Sequence, residues 1–407
     1  MKAIHSIIAG TLCFALTNSA LSQLATGTPV PIAATIELSG AAADVSRDAL
    51  AGAQFAVETI NKTGGVLGRP VVLTYQDNGT NPQKAVSQAS ALASDGAVFL
   101  MTAASSSSLA VSKMVTAKQK IPTCSSTSQT DDLTIKDFNP YIFSMSANSY
   151  MVMRSVATYL AKQPYKRYAV VAADFAGGRI GANRFKEFIK ELNPHSEIVV
   201  EEYPKFGATN YTPSINKILA AKPDYVFTML FGNDLVTFIN QAQAVGFFQQ
   251  VGNKFSALYD GNTLKTLGNN APIGTDGFQV AAVNALAKLG PESQAFITSF
   301  KAKNNQYPSD WSTLAYDCIS VWAQASNMAK STDADKVMAV IESQTFKSPR
   351  GDLRFGSFDH QAEAPTYIGK VIQSKEFDQP VLDILETIPG KASRPNEALV
   401  KKMRSGG

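Results

Sequence analysis

Two short runs of hydroxyl residues, Ser105-Ser106-Ser107-Ser108 and Ser125-Ser126-Thr127-Ser128-Gln129-Thr130, and an acid in Tyr259-Asp260-Gly261-Asn262 are the side chains whose type and spacing could do chemistry. A serine nucleophile needs a base held against it. The chain has no Gly-x-Ser-x-Gly elbow, and beyond its first residues only His195, in a predicted surface turn, and His360, in a predicted hairpin turn, offer an imidazole. Gly177-Gly178-Arg179-Ile180-Gly181 lacks the Gly-Lys-Ser/Thr ending of a phosphate loop and the three-glycine dinucleotide spacing, so it reads as a permissive turn opening a helix. Three His and three Cys leave little material for metal or redox chemistry. The expectation is a protein that is not an enzyme and holds no metal and no cofactor. Non-covalent capture suits the same residues better. Hydroxyls and free backbone N–H groups at a helix start can hold a carboxylate without a cation, although serine there can also be a simple cap. Asp260 facing them across a cleft would take an ammonium, completing the two poles of an amino acid, and as a turn residue it has an equally good structural reason to be there.

What must position these groups is a repeated strand and helix pattern. The 407 residues are 45% hydrophobic, enough for two or three domains, and Lys+Arg 37 against Asp+Glu 33 leaves +4, no footprint for nucleic acid. The order of predicted elements runs strand from Ile32, helix through Leu50, Ala53, Val57 and Ile60, strand from Val71, helix after Asn81-Pro82, strand to Met101, helix from Ser107 and strand to Cys124. After Ser144 the rhythm restarts with strands near Tyr168, Glu197, Tyr225 and Phe255 and helices between them. Helices follow from Pro291, Trp311 and Ala334, then a hairpin over 350–359 and a surface tail with a mobile end. Strands alternating with helices predict an α/β fold of two Rossmann-like lobes with parallel central sheets. Ligands of such sheets sit beyond the carboxyl ends of the strands. That rule selects both hydroxyl runs in the first lobe and Phe175, Phe231, Tyr259 and Asp260 in the second. The N-terminus, with Lys2, an apolar run from Ile7 to Leu16 and small residues around Ala20 to Ser22, reads as a secretory signal peptide over 1–22 and predicts a secreted protein. No later stretch approaches 18 uncharged apolar residues.

The order and spacing of several short segments resemble the type I periplasmic binding proteins of the branched-chain amino-acid uptake family, over nearly the whole chain after the leader. They are Ile36-Glu37-Leu38-Ser39-Gly40, Gly52-Ala53, Ile60-Asn61, Gly64-Gly65-Val66-Leu67-Gly68, Asp77, Asn81-Pro82, the serine run, Ile121-Pro122, Leu133-Thr134 and Pro223-Asp224-Tyr225-Val226. The resemblance implies a periplasmic solute receptor of an ATP-driven importer, a monomer whose partners are a small-molecule ligand and ABC transporter permease subunits, and which closes like a hinged trap. It implies lobes of 28–145 plus 279–360 and 146–278 plus 361–390, a tail over 391–407, and crossings near Ser144 to Ser146, Gly277 to Ala281 and Asp359 to Glu363. Carried over by position, the ligand carboxylate falls to Ser105, Ser106, Thr127 and Gln129, the ammonium to Asp260, and the aromatic lid to Phe231; the strand-end loops add Phe175 and Tyr259, which with Phe231 would face the apolar body.

Three departures from the family pattern bear on the ligand. Gly177 stands where a tyrosine is usual, Val45 where an aromatic is frequent, and Gln129 where a hydroxyl is expected. Together they imply a ligand larger than leucine or differently shaped, an aromatic carboxylate or a short amide being the alternative to an amino acid. The positions of a disulfide found in some relatives are Thr80 and Ser105 here, so Cys124 and Cys318, on a predicted strand and helix, read as buried free thiols.

Overall fold

The computed structural model describes residues 25–405. The expected signal peptide lies outside the described residues. Strands β1 (Val30–Ile36), β2 (Val71–Asp77), β3 (Leu100–Thr102), β4 (Thr123–Ser125) and β5 (Ile142–Ser144) form an all-parallel sheet in the order β2-β1-β3-β4-β5. A second sheet repeats that order with β6 (Arg167–Ala172), β7 (Glu197–Glu202), β8 (Tyr225–Met229), β9 (Phe255–Leu258) and β10 (Asp276–Gln279). Central strands such as β8 are buried at every residue because helices cover both faces, which is why they read as continuous apolar runs. The helix Ala43–Lys62 lies against the helix Asp310–Ala329, and a Cβ on Gly52 would overlap the backbone of Ser312, so this crossing requires glycine.

Three segments depart from expectation. The hairpin predicted over 350–359 lies earlier, as β11 (Phe346–Ser348) and β12 (Gly351–Leu353), with Arg350 in its turn. His360 keeps its predicted turn, closed by the antiparallel Phe355–Ala362 bridge, but is buried within it: its Nδ1 is 2.9 Å from the Ile142 carbonyl oxygen and its Nε2 2.9 Å from Glu342 Oε1. The second sheet is not purely parallel, since β13 (Thr366–Ser374) joins β10 antiparallel and β14 (Gln379–Ile388) extends it at the edge.

The C-terminal segment is no loose tail. It forms helices Gly390–Ser393 and Glu397–Arg404 that return to the segments between the lobes. Arg394, side chain 6% exposed, grips Asp359 with two bonds of 3.0 Å and Glu363 with one of 2.9 Å. Arg404 donates to the carbonyl oxygens of Ile135 (2.7 Å), Thr134 (3.2 Å) and Phe358 (2.7 Å). Its guanidinium covers the Phe138 ring.

Cys124 and Cys318 are bonded to each other, which corrects the expectation of free thiols. The helix carrying Cys318 packs on the first sheet and brings the two Cα atoms within 5.7 Å across 194 residues of sequence. The bridge ties β4 to a helix supplied after the chain has built the second sheet.

Two outcomes follow from these ties. Reducing the disulfide is expected to cost about 2–5 kcal/mol in urea unfolding; a midpoint indifferent to reductant would contradict that. Arg394→Ala leaves Asp359 buried without its cation and is expected to cost about 3–5 kcal/mol, the same unfolding measurement giving under 1 kcal/mol if the tail were dispensable.

Candidate functional site

Strand order reverses between β1 and β3 in the first sheet and between β6 and β8 in the second, and the predicted loops flank these switch points. The two hydroxyl runs do meet. Thr102 Oγ1 and Ser108 Oγ are 2.8 Å apart, Ser125 Oγ donates to Ser108 Oγ at 3.0 Å, and Ser128 Oγ donates to Ser105 Oγ at 3.1 Å. No serine side chain caps the helix Ser105–Val111, whose N-cap position is Ala104. The inner hydroxyls therefore knit the loops together. Ser105, Ser106, Thr127 and Gln129 remain at the edge, and Gln129 Nε2 is buried with no partner, a donor left open to an acceptor.

Two acids fix these loops, Glu37 buried behind them and Asp77 nearer the surface. Glu37 accepts from Ser46 Oγ (3.0 Å), Asn78 Nδ2 (3.0 Å) and the Ala104 N–H (3.1 Å), tying β1 and the first helix to the serine loop. Asp77 is held down at about 2, first by the Ser39 hydroxyl and then by the N–H groups of Gly79, Leu38 and Ser39, and so shapes the Ser39 loop.

In the second lobe the Phe175 ring stacks on Phe206 at 4.6 Å between centroids and stands edge-on to Phe231 at 6.2 Å. A Cβ on Gly177 would meet the Phe175 ring at 2.7 Å. The bulk missing at Gly177 is thus replaced by Phe175 folding over the helix start. Tyr259 does not face the cleft: its ring is fully buried beneath the sheet, its hydroxyl is 3.3 Å from Thr275 Oγ1, and only its carbonyl serves the loop, accepting from Gln279 Nε2. The expectation that Tyr259 contacts ligand is corrected on that ground.

Asp260 caps the helix Gly261–Leu267, accepting from the N–H groups of Asn262 and Thr263 at 3.0 Å each and from Thr263 Oγ1 at 2.6 Å. Besides capping this helix, Asp260 lines a cavity of about 210 Å³ between the lobes with Asp44, Asn233, Asn262, Thr263 and Trp311. Asn233 Nδ2 donates to Asp44 Oδ2 at 2.5 Å across this mouth. None of the other predicted site residues lines that cavity.

Two further buried acids lie beside Asp260, and the sequence offered no sign of them as a group. Asp310 Oδ1 accepts from the N–H groups of Val280 and Ala281 at 2.8 Å, and Oδ2 from Gly261 N–H and Gln279 Nε2 at 3.3 Å. Asp48 Oδ1 accepts from Gln306 Nε2 at 3.3 Å while its Oδ2 has no partner. Burial, with the neighbouring Asp260 charge, pushes both Asp48 and Asp310 up to about 6, and burial raises Asp260 as well. Among the described residues no Lys, Arg or His forms an ion pair with any of the three. Each is in the first turns of a helix or at its cap, where an acid reads only as a complement to the helix dipole.

Two α/β lobes with switch points facing one cleft define a two-lobed binding protein. The family model described as periplasmic binding protein matches residues 29–376, and the chain belongs to this family. It is 24% identical over 380 residues to the Leu/Ile/Val-binding protein homolog 4 of Brucella abortus, covering 89% of this chain and 88% of that one. Among solved structures it is similar to the Brucella ovis leucine-, isoleucine-, valine-, threonine-, and alanine-binding protein in a closed conformation (TM-score 0.79, 22% identity, 91% and 97% of the two chains). It is also similar to a solute-binding protein of an ABC transporter from Rhodopseudomonas palustris in complex with 3,4-dihydroxy benzoic acid (TM-score 0.80, 19% identity, 89% and 98%). Among the described residues no helix is long and apolar enough to cross a membrane.

The acid group sets a pH dependence. Asp48 and Asp310 have folded pKa values raised above the unfolded value, so the folded state binds more protons between about pH 4 and pH 6. Their contribution to stability falls as pH rises through that window and stays low above about 6. Asp48→Asn is expected to stabilise the protein near neutral pH and to flatten the change in urea stability between about pH 5 and pH 7.5. An unaltered pH difference in Asp48→Asn would remove the assignment.

Proposed function

We propose that this protein is the extracytoplasmic solute receptor of an ABC importer that captures an amino acid between its lobes, delivers it to permease subunits and acts as a periplasmic monomer. Asp48, Asp260 and Asp310, buried beside an interlobe cavity with no basic partner among the described residues, carry this reading. Burying carboxylates costs several kcal/mol each unless a cation or hydrogen bonds compensate. A ligand ammonium reaching Asp260 supplies that cation. Its carboxylate is received on the opposite lobe by Ser105, Ser106 and Thr127 and by the open Nε2 of Gln129. Phe175 and Phe231 enclose the apolar body.

The lobes then comprise 28–145 with 279–360 and 146–278 with 361–390, consistent with the membership of the two sheets. Crossing strands near Ser144 to Ser146, Gly277 to Ala281 and Asp359 to Glu363 act as the hinge, and ligand favours closure through the contacts it makes only when the lobes meet.

A second reading, an aromatic carboxylate as ligand, is favoured by the Phe175, Phe206 and Phe231 rings gathered at one wall. A thermal-shift panel of aliphatic and aromatic amino acids and benzoates separates the two. Ligand at about 100 times its dissociation constant adds roughly 2.7 kcal/mol. Amino acids are expected to stabilise the wild-type protein, with affinity falling more than tenfold in Asp260→Ala; Asp260→Asn, which keeps a cap acceptor, controls for loss of the helix start. Equal affinity in both variants, with stabilisation by benzoates, would overturn the amino-acid reading.

A further inference from the structure

The hydroxyl loop of the first lobe does not end at Gln129. It runs straight into Asp131, whose side chain leaves its own lobe. Asp131 Oδ1 accepts from the Tyr150 N–H at 2.7 Å, in the helix Ser149–Ala161 that opens the second lobe. Its Oδ2 accepts from Arg184 Nε at 2.9 Å, in the helix Ala176–Leu192 that begins beside Phe175. The backbone adds to the same junction, because the Gln129 carbonyl oxygen accepts from the Ser149 N–H at 2.7 Å and from Ser149 Oγ at 2.8 Å. Asp131 is 4% exposed, and Arg184 is held in turn by Glu187 at 2.8 Å and by the face of Tyr150.

The loop bearing Thr127 and Gln129 is therefore tied, within two residues, to the helix whose start carries the aromatic wall. No sequence signal links Asp131 to Arg184, 53 positions away. We propose that Asp131 is a positioning residue that, with Arg184 as its partner, couples occupancy of the hydroxyl loop to the approach of the two lobes. The proposal rests on the ligand site described above. A loop displaced by ligand moves the Asp131 carboxylate, and Arg184 carries that displacement to the second lobe. The pair coexists with the Asn233–Asp44 contact across the mouth, and the coupling predicts that it favours that arrangement.

Spin labels at Arg47→Cys and Thr266→Cys, both exposed and on opposite sides of the mouth, report the lobe separation. Asp131→Asn and Arg184→Gln are each expected to lengthen and broaden the distance distribution of the ligand-free protein, and the double variant to go no further than either single one. With L-leucine and benzoate as probes in calorimetry, each single variant is expected to bind whichever probe the wild type binds about tenfold more weakly, again without addition in the double variant. Distances superimposable on the wild type in folded variants, or losses that add, would overturn the coupling. Arg184→Gln, on the less buried partner, carries the test if Asp131→Asn does not fold. Failure of both probes to bind the wild type counts against the ligand reading, and the ligand-free distances then decide the fate of the pair by themselves.

Discussion

In the proposed hinge the chain crosses between the lobes in three short segments, and polar side chains fasten each one. Ser144 pairs with the crossing at Gln361, the Ser144 N–H donating to the His360 carbonyl oxygen at 3.0 Å and the Ala362 N–H to the Ser144 carbonyl oxygen at 2.9 Å. Gln361 Nε2 donates to the Ser146 carbonyl oxygen at 2.7 Å. Asp310 receives the N–H groups of the middle crossing, and Arg394 grips both ends of the last. A hinge made of loose loops would let each lobe wander. In the proposed closure, crossings pinned by buried charge restrict the motion to a rotation that brings two distant loops onto one ligand.

The same economy shapes the cleft. Hydroxyls bond one another behind the binding edge, and Glu37 fixes the loop from beneath, so few side chains are left free to address a ligand. Across the cleft Asp260 of the second lobe is buried beside Asp48 and Asp310 of the first, three carboxylates without a basic ion-pair partner among the described residues. Such a site is destabilised by its own charge near neutral pH, and in the proposed reading a cation that arrives with the ligand relieves that cost. Binding and relief of electrostatic cost are then one event.

Much of the architecture was legible because buried parallel strands must be apolar runs and their helices must be amphipathic; the strand near Phe255 and the helix from Pro291 are both present, as Phe255–Leu258 and Pro291–Asn304. Pairing across long sequence distances was not. Cys124 and Cys318 looked like a strand thiol and a helix thiol, and only the docking of that helix on the first sheet makes them partners. The β13 and β14 hairpin was missed although Leu382 and Asp383 alternate between buried and exposed faces, since Lys370, Lys375, Glu376 and Asp383 give the segment the polarity of a loop. At the candidate site, residue types pointed to loops at the switch points but not to orientation: Tyr259 is buried beneath the sheet while Asp260, next to it, lines the interlobe cavity. Asp48, Asp310 and Trp311 come from other elements, and their convergence is a property of the packing alone.

The central claim is that the cleft supplies an acid for a ligand ammonium. Calorimetry on matched pairs tests it most directly, setting L-leucine against 4-methylpentanoate and L-phenylalanine against 3-phenylpropanoate, which share a skeleton and carboxylate and differ in the ammonium. Preference for the amino acid by about a hundredfold or more in at least one pair is the predicted result, as an unpaired charge left in a buried site costs about 3 kcal/mol or more. Equal or tighter binding of the acid that lacks the ammonium would contradict the account.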